Sequence, residues 1–172
     1  MSRQGILEDE RGFTLIEVMV TIVIMGIVFA ISSSIWFKMA ESRRVDSATN
    51  QVVADLRLAH TQATNRLTDS SFIVPSADSS TYQVGQVGPP EDLETRNLPG
   101  DDQGTPKTKI VAATTITITF HAEGGAEIDP AGPAGVINIT VTTTDGDPDD
   151  PCHKININTV TSRVKVVNCE DL

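Results

Sequence analysis

Four carboxylates stand within six residues at Asp145, Asp147, Asp149 and Asp150. Clustered oxygens of this kind suit Ca2+, which takes hard oxygen ligands. The spacing is not that of an EF-hand loop, because no Gly holds the sixth position and no Glu the twelfth, so a solvated acidic turn is the competing reading. Arg163 and Lys165, one residue apart, place two cations close together, as a phosphate receptor would need. Against that, residues 69–172 carry six Lys/Arg and sixteen Asp/Glu. Counterion release rewards phosphate binding only where positive charge dominates, so a plain solvated strand face is the alternative. Cys152 and Cys169 are the two thiols and allow one bridge. His60, His121 and His153 lie in no metal-ligand spacing, and neither a GxSxG elbow nor a phosphate-binding Gly-rich loop is present. No enzyme and no cofactor other than Ca2+ is indicated.

The remaining chemical oddity is Glu17, the single charge in the 25 residues Phe13–Phe37, FTLIEVMVTIVIMGIVFAISSSIWF. About 20 apolar helical residues cross the hydrocarbon core of a bilayer, so this block is long enough to span one. A buried helix of a soluble domain should show a polar face, and none exists from Val18 to Ile31. A cleaved secretory signal is a further reading, since Ala30-Ile31-Ser32 offers a small-x-small site. Its preceding segment is poorly charged for that purpose: Arg3 and Arg11 face Glu8, Asp9 and Glu10. A carboxylate within a membrane span costs about 2.5–3.5 kcal/mol near the centre and less near the end. Such a residue calls for a partner, or for a place at the interface.

Past Phe37 the pattern becomes amphipathic with no Pro or Gly to stop it. Val45, Ala48, Val52, Leu56, Ala59, Ala63 and Leu67 recur at three- and four-residue intervals, one face of a helix. Asp46, Asn50, Arg57, Thr61 and Asn65 fall mostly on the other side. One helix is expected from Phe13 to Leu67, approaching about 80 Å at 1.5 Å per residue. From Ser70 the period becomes two, with strands expected over Thr81–Val87, Thr115–Phe120, Val136–Thr143, Lys154–Asn158 and Arg163–Val167. Residues 88–107, rich in Pro, Gly and acid, read as a long exposed loop.

The last two strands can be put in register. Pairs whose numbers sum to 321 match Ile155 with Val166 and Ile157 with Val164, and the same sum matches Cys152 with Cys169. A bridge there closes 16 residues and is worth roughly 3 kcal/mol in the chain-entropy model. It implies an oxidising compartment; two buried free thiols are the alternative. A formal net charge of −10 with 4% aromatic residues disfavours a globally basic nucleic-acid binder.

The junction Arg11-Gly12-Phe13-Thr14-Leu15-Ile16-Glu17, followed by an uninterrupted apolar run, resembles the class III signal of type IV pilins and type II secretion pseudopilins. The stretch Val52–Ala63 and the turn from Phe120 to Gly124 are similar to the H-type minor pseudopilins, and the helix also to the T-type minor pilins. Ser162-Arg163-Val164-Lys165 resembles the Gly-Arg-x-Arg tail motif of T-type pilins that bind DNA, with Ser and Lys replacing two positions. No Pro kinks the helix between Phe13 and Leu67, unlike in many pilins.

The resemblance implies an α+β fold in which a long N-terminal helix packs against an antiparallel β head. It implies a leader over residues 1–12, a membrane and assembly half-helix over 13–37, an amphipathic half-helix over 38–68 and a head over 69–172. Prepilin peptidase would cut after Gly12 and methylate Phe13, leaving Glu17 to meet the Phe13 amine of a neighbouring subunit. The partners implied are other pilins or pseudopilins and inner-membrane lipid, with DNA a further candidate. The place implied is a single-pass bacterial inner-membrane protein whose head lies in the periplasm or in a surface fibre.

Overall fold

Thr14 begins the helix. In a computed structural model describing residues 12–76, 78–88, 92–100, 104–112, 114–130, 136–145 and 150–169, the Glu17 N–H donates to the Thr14 carbonyl at 3.1 Å and to its Oγ1 at 3.3 Å. That is an N-cap, and it answers one of the donors that a helix start leaves open. Helix α1 runs from Leu15 to Arg66, 52 residues.

The chain divides into two compact units, residues 1–38 and 39–172. In the first, the apolar side chains face outward: from Val18 at 49% to Phe29 at 77%, none between Val18 and Ile31 is buried. Leu15–Ser32 is long and apolar enough to cross a membrane, with none of it buried. Thr21 and Ser32 return their hydroxyls to the carbonyls of Val18 and Val28, each at 2.8 Å. Hydroxyls bonded within the helix itself suit an environment without water.

In the second unit α1 behaves as an ordinary amphipathic helix. Val45, Ala48, Val52, Leu56, Ala59 and Ala63 are fully buried, while Asp46, Asn50, Arg57, Thr61 and Asn65 are exposed. The helix ends one residue earlier than expected, and the buried stripe ends at Ala63. Leu67 is 78% exposed and adopts φ 53°, and the Thr68 N–H reaches the Ala63 carbonyl at 3.3 Å. This six-to-one bond around a left-handed residue is a Schellman close, so Leu67 terminates the helix instead of packing.

Among the described residues nine strands follow: β1 (Ser70–Val74), β2 (Thr81–Gln86), β3 (Asp92–Asn97), β4 (Thr108–Val111), β5 (Ile116–Phe120), β6 (Ala126–Asp129), β7 (Val136–Thr143), β8 (Cys152–Asn158) and β9 (Val164–Asn168). They form two antiparallel sheets, ordered β3-β2-β1-β5-β6 and β4-β7-β8-β9. Phe72, Tyr82, Ile118 and Phe120 from the first share one core with Ile139, Val141, Ile155 and Ile157 from the second, together with the buried helix stripe. The fold is the expected α+β arrangement.

Segment 88–107, expected to be a single loop, instead carries β3, which pairs with β2 over six residues from Thr81↔Asn97 to Gln86↔Asp92. Its sequence, DLETRN, lacks alternating apolar residues. Backbone pairing alone makes it a strand, and Gly85 permits the approach, since a Cβ there would stand 1.7 Å from the Asp92 carbonyl oxygen. Residues 89–91 and 101–103 of the expected loop lie outside the described residues.

Candidate functional site

The N-terminal site is built by the helix start. Gly12 and Phe13 precede the cap, both are exposed, and Phe13 is 82% so. Residues 1–11, most of the expected leader, lie outside the described residues. Thr14 and Glu17 occupy the first and last positions of a Thr-x-x-Glu capping box. The positive end of the helix dipole favours a carboxylate in this first turn. Glu17 therefore suits the helix start locally. The Thr-x-x-Glu spacing of Thr14-Leu15-Ile16-Glu17 is the signal for this cap in the sequence.

The β8–β9 hairpin holds the other candidates. Asn158 Oδ1 accepts from the backbone N–H groups of Val160 and Thr161 at 3.0 and 2.8 Å, an Asx turn that reverses the chain. Pairing then runs Ile157↔Val164, Ile155↔Val166 and His153↔Asn168. Cys152 and Cys169 continue that register and form a disulfide, with Cα atoms 5.7 Å apart. The register arithmetic gave both the apolar pairs and the bridge.

Alternation along the same strands aims Arg163 and Lys165 outward, where with Val136, Asn156, Asn158 and Thr161 they line an open groove of about 510 Å³. The acidic cluster is less complete. Asp147 and Asp149 lie outside the described residues. Asp150 accepts a hydrogen bond from Thr143 Oγ1, and Asp145 is exposed nearby in sequence. Among the described residues, no three His, Cys, Asp or Glu side chains are grouped to hold a metal.

Residues 9–33 match the prokaryotic N-terminal methylation motif, and residues 48–161 match the type II transport protein GspH. The chain belongs to the GspH family. No curated protein and no solved structure gave a match. The methylation motif covers the capped helix start and its apolar run, while the GspH match covers the second helix half and most of the head. Together they support a type II secretion pseudopilin or a pilin-like subunit.

Two polar clamps fasten the helix half of this GspH-family head to its sheets, and a third ties Asp69, between α1 and β1, to the turn after β5. At one, Asp46 meets His153 Nε2 at 2.6 Å. At the second, the Tyr82 hydroxyl donates to Asp55 at 2.5 Å and accepts from Gln51 Nε2 at 3.0 Å, and Gln51 also donates to the Asn97 carbonyl at 2.9 Å. Burial, joined by the Asp55 hydrogen bond, pushes the Tyr82 pKa well above the ordinary phenol value. At the third, Asp69 accepts the Ala122 N–H at 3.0 Å and contacts His121 Nδ1 at 3.1 Å, and both lower its pKa. His60 lies edge-on to Phe120 with ring centroids 5.9 Å apart. All three histidines thus have structural partners, which no local spacing in the sequence announced.

Proposed function

We propose that this chain is a minor structural subunit of a type II secretion pseudopilus. Prepilin peptidase cuts after Gly12, and Phe13 becomes the methylated N-terminus. The helix then anchors the subunit in the inner membrane with its head in the periplasm. On entry into the fibre, Glu17 meets the Phe13 amine of an adjacent subunit and the two charges are neutralised where water is scarce. The observation carrying this reading is the capped helix start at Thr14, with Phe13 and Glu17 exposed at the head of an apolar run that nothing in the chain buries. The disulfide supports an oxidising compartment for the head.

Mass spectrometry of the mature terminus tests the processing step, with N-methyl-Phe13 expected; a terminus near Ser33 overturns it. Glu17→Ala should leave membrane insertion intact and reduce entry into fibres. A second reading, a type IV pilus minor pilin that takes up DNA, draws on Arg163 and Lys165 sharing one groove. Salt-sensitive binding of duplex DNA, lost in the Arg163→Ala/Lys165→Ala double variant, would favour it.

A further inference from the structure

The cross-strand register sorts the head's few cations onto one face. Ile155 and Ile157 of β8 point into the core, so Lys154, Asn156 and Asn158 point away from it. Their partners across the ladder are Lys165 on β9, opposite Asn156, and Asn138 and Thr140 on β7, opposite Asn156 and Lys154. Arg163 joins them through its carbonyl bond to the Asn158 N–H. On β4, buried Ile110 leaves Lys109 on the same outward side. Four of the six Lys/Arg in residues 69–172 thus share the outward face of the four-stranded sheet, and no carboxylate occupies an outward position in its described strands. Lys109 is paired with Asp78 at 3.2 Å. Lys154, Arg163 and Lys165 have no ion pair among the described residues.

The five-stranded sheet shows the reverse. Ile118 and Phe120 are buried, so Thr117 and Thr119 face outward with their partners Asp129 and Glu127 on the edge strand β6. The outward positions of its described strands hold these two carboxylates and no cation.

Heads of charge-rich subunits with a net −10 repel one another when packed side by side. Segregating the cations changes the sign at one face only. We infer that the outward face of the four-stranded sheet, centred on Arg163 and Lys165, docks the Glu127/Asp129 edge of a second copy of this chain. Residues two apart on one strand project side chains roughly 7 Å apart on the same face. The cation pair and the carboxylate pair therefore match in spacing as well as in sign. The amides of Asn156 and Asn158 supply further donors beside the cations. Because donor and acceptor patches lie on different sheets, the contact is heterologous, the face of one copy against the edge of the other. The inference rests on the fibre-subunit reading above.

The test uses the full chain in detergent micelles, as an equal mixture of isotopically heavy and light copies, treated with a carbodiimide that condenses an amine with a carboxylate. The expected product joins the Lys165 peptide of one copy to the Glu127/Asp129 peptide of the other. Its yield should fall steeply as salt rises from about 0.1 to about 1 M, which shortens the Debye length from about 10 to about 3 Å. Arg163→Glu, at an exposed position, should lower the yield about fivefold, and mixing it with a Glu127→Lys copy should restore it. Absence of this cross-link, or indifference to both salt and Arg163→Glu, overturns the inference. Displacement of the cross-link by a short duplex DNA also overturns it, since the face would then serve nucleic acid. The terminal mass keeps the two failures apart: a chain trimmed to Phe13 but lacking the cross-link sinks the docking face alone, and an untrimmed chain sinks the fibre reading.

Discussion

The two halves of α1 are built from the same secondary structure and meet different surroundings. In residues 39–66 most apolar side chains form one stripe, Val45 to Ala63, that the chain's own sheets bury, and most polar ones face away. In residues 15–32 apolar side chains cover the helix all round and the chain buries none of that stretch. The first half thus has a hydrophobic surface without an internal core, and must find its apolar partners in lipid or in other subunits. One helix serves as a folding element at one end and as an assembly element at the other.

A matched pair of substitutions should separate those roles with the largest effects. Leu56→Ala empties a fully buried site in the second half and should cost the head about 2–5 kcal/mol in urea unfolding of the detergent-solubilised chain. Its membrane insertion should be unchanged. Ile24→Lys places a charge mid-span in the first half and should cost insertion about 2.5–3.5 kcal/mol, read as the membrane-integrated fraction. The head should unfold at the wild-type urea concentration. If Ile24→Lys destabilised the head, the contrast between the halves would be wrong.

The disulfide sharpens the same contrast because it acts on the head alone. Cys152→Ser with Cys169→Ser removes a bridge between positions 17 apart and should cost about 3 kcal/mol of head stability. Reductant should have the same effect on the wild type and none on the double variant.

Legibility differed by region for physical reasons. The buried stripe, the apolar run and the β8–β9 register were readable because each leaves a periodic or matched trace in the sequence. The strand β3 left none, since its ladder is made by backbone groups and its side chains are mostly polar. The three clamps were equally silent: Asp46 and His153 are 107 residues apart, and Asp55 and Tyr82 are 27 apart. A carboxylate on the buried helix side, as at Asp55, was the one available hint that a donor had to await it. At the N-terminal site the capping role of Thr14 needed only the Thr-x-x-Glu spacing.

The clamp at Asp55 gives the next effect in size. Tyr82→Phe keeps the stacked contact with Phe72, whose ring centroid lies 4.8 Å away, but takes the donor from Asp55, which is 8% exposed. The expected cost is about 1–3 kcal/mol. The pH dependence carries its own sign. The folded Tyr82 pKa is raised above the unfolded value of about 10, so its contribution is complete below that value and is lost as pH rises toward the folded pKa. Wild-type stability should therefore decline above about pH 10 more steeply than that of Tyr82→Phe. Asp69 acts at the other extreme: its lowered pKa adds stability above about pH 4 that disappears as pH falls through the folded value.

The smallest effect tests where the buried stripe ends. Leu67 continues the four-residue spacing of Ala59 and Ala63, yet it is exposed and left-handed. A side chain in that conformation pays a steric penalty that glycine escapes, although glycine also gains freedom in the unfolded chain. The net for Leu67→Gly should be a stabilisation of about 0.5–1 kcal/mol, seen as a higher urea midpoint with an unchanged slope. A loss of 2 kcal/mol or more, at about the scale of an emptied core site, would mean that Leu67 packs as the periodicity alone suggests and that the helix stripe runs one turn further than the Thr68–Ala63 closure allows.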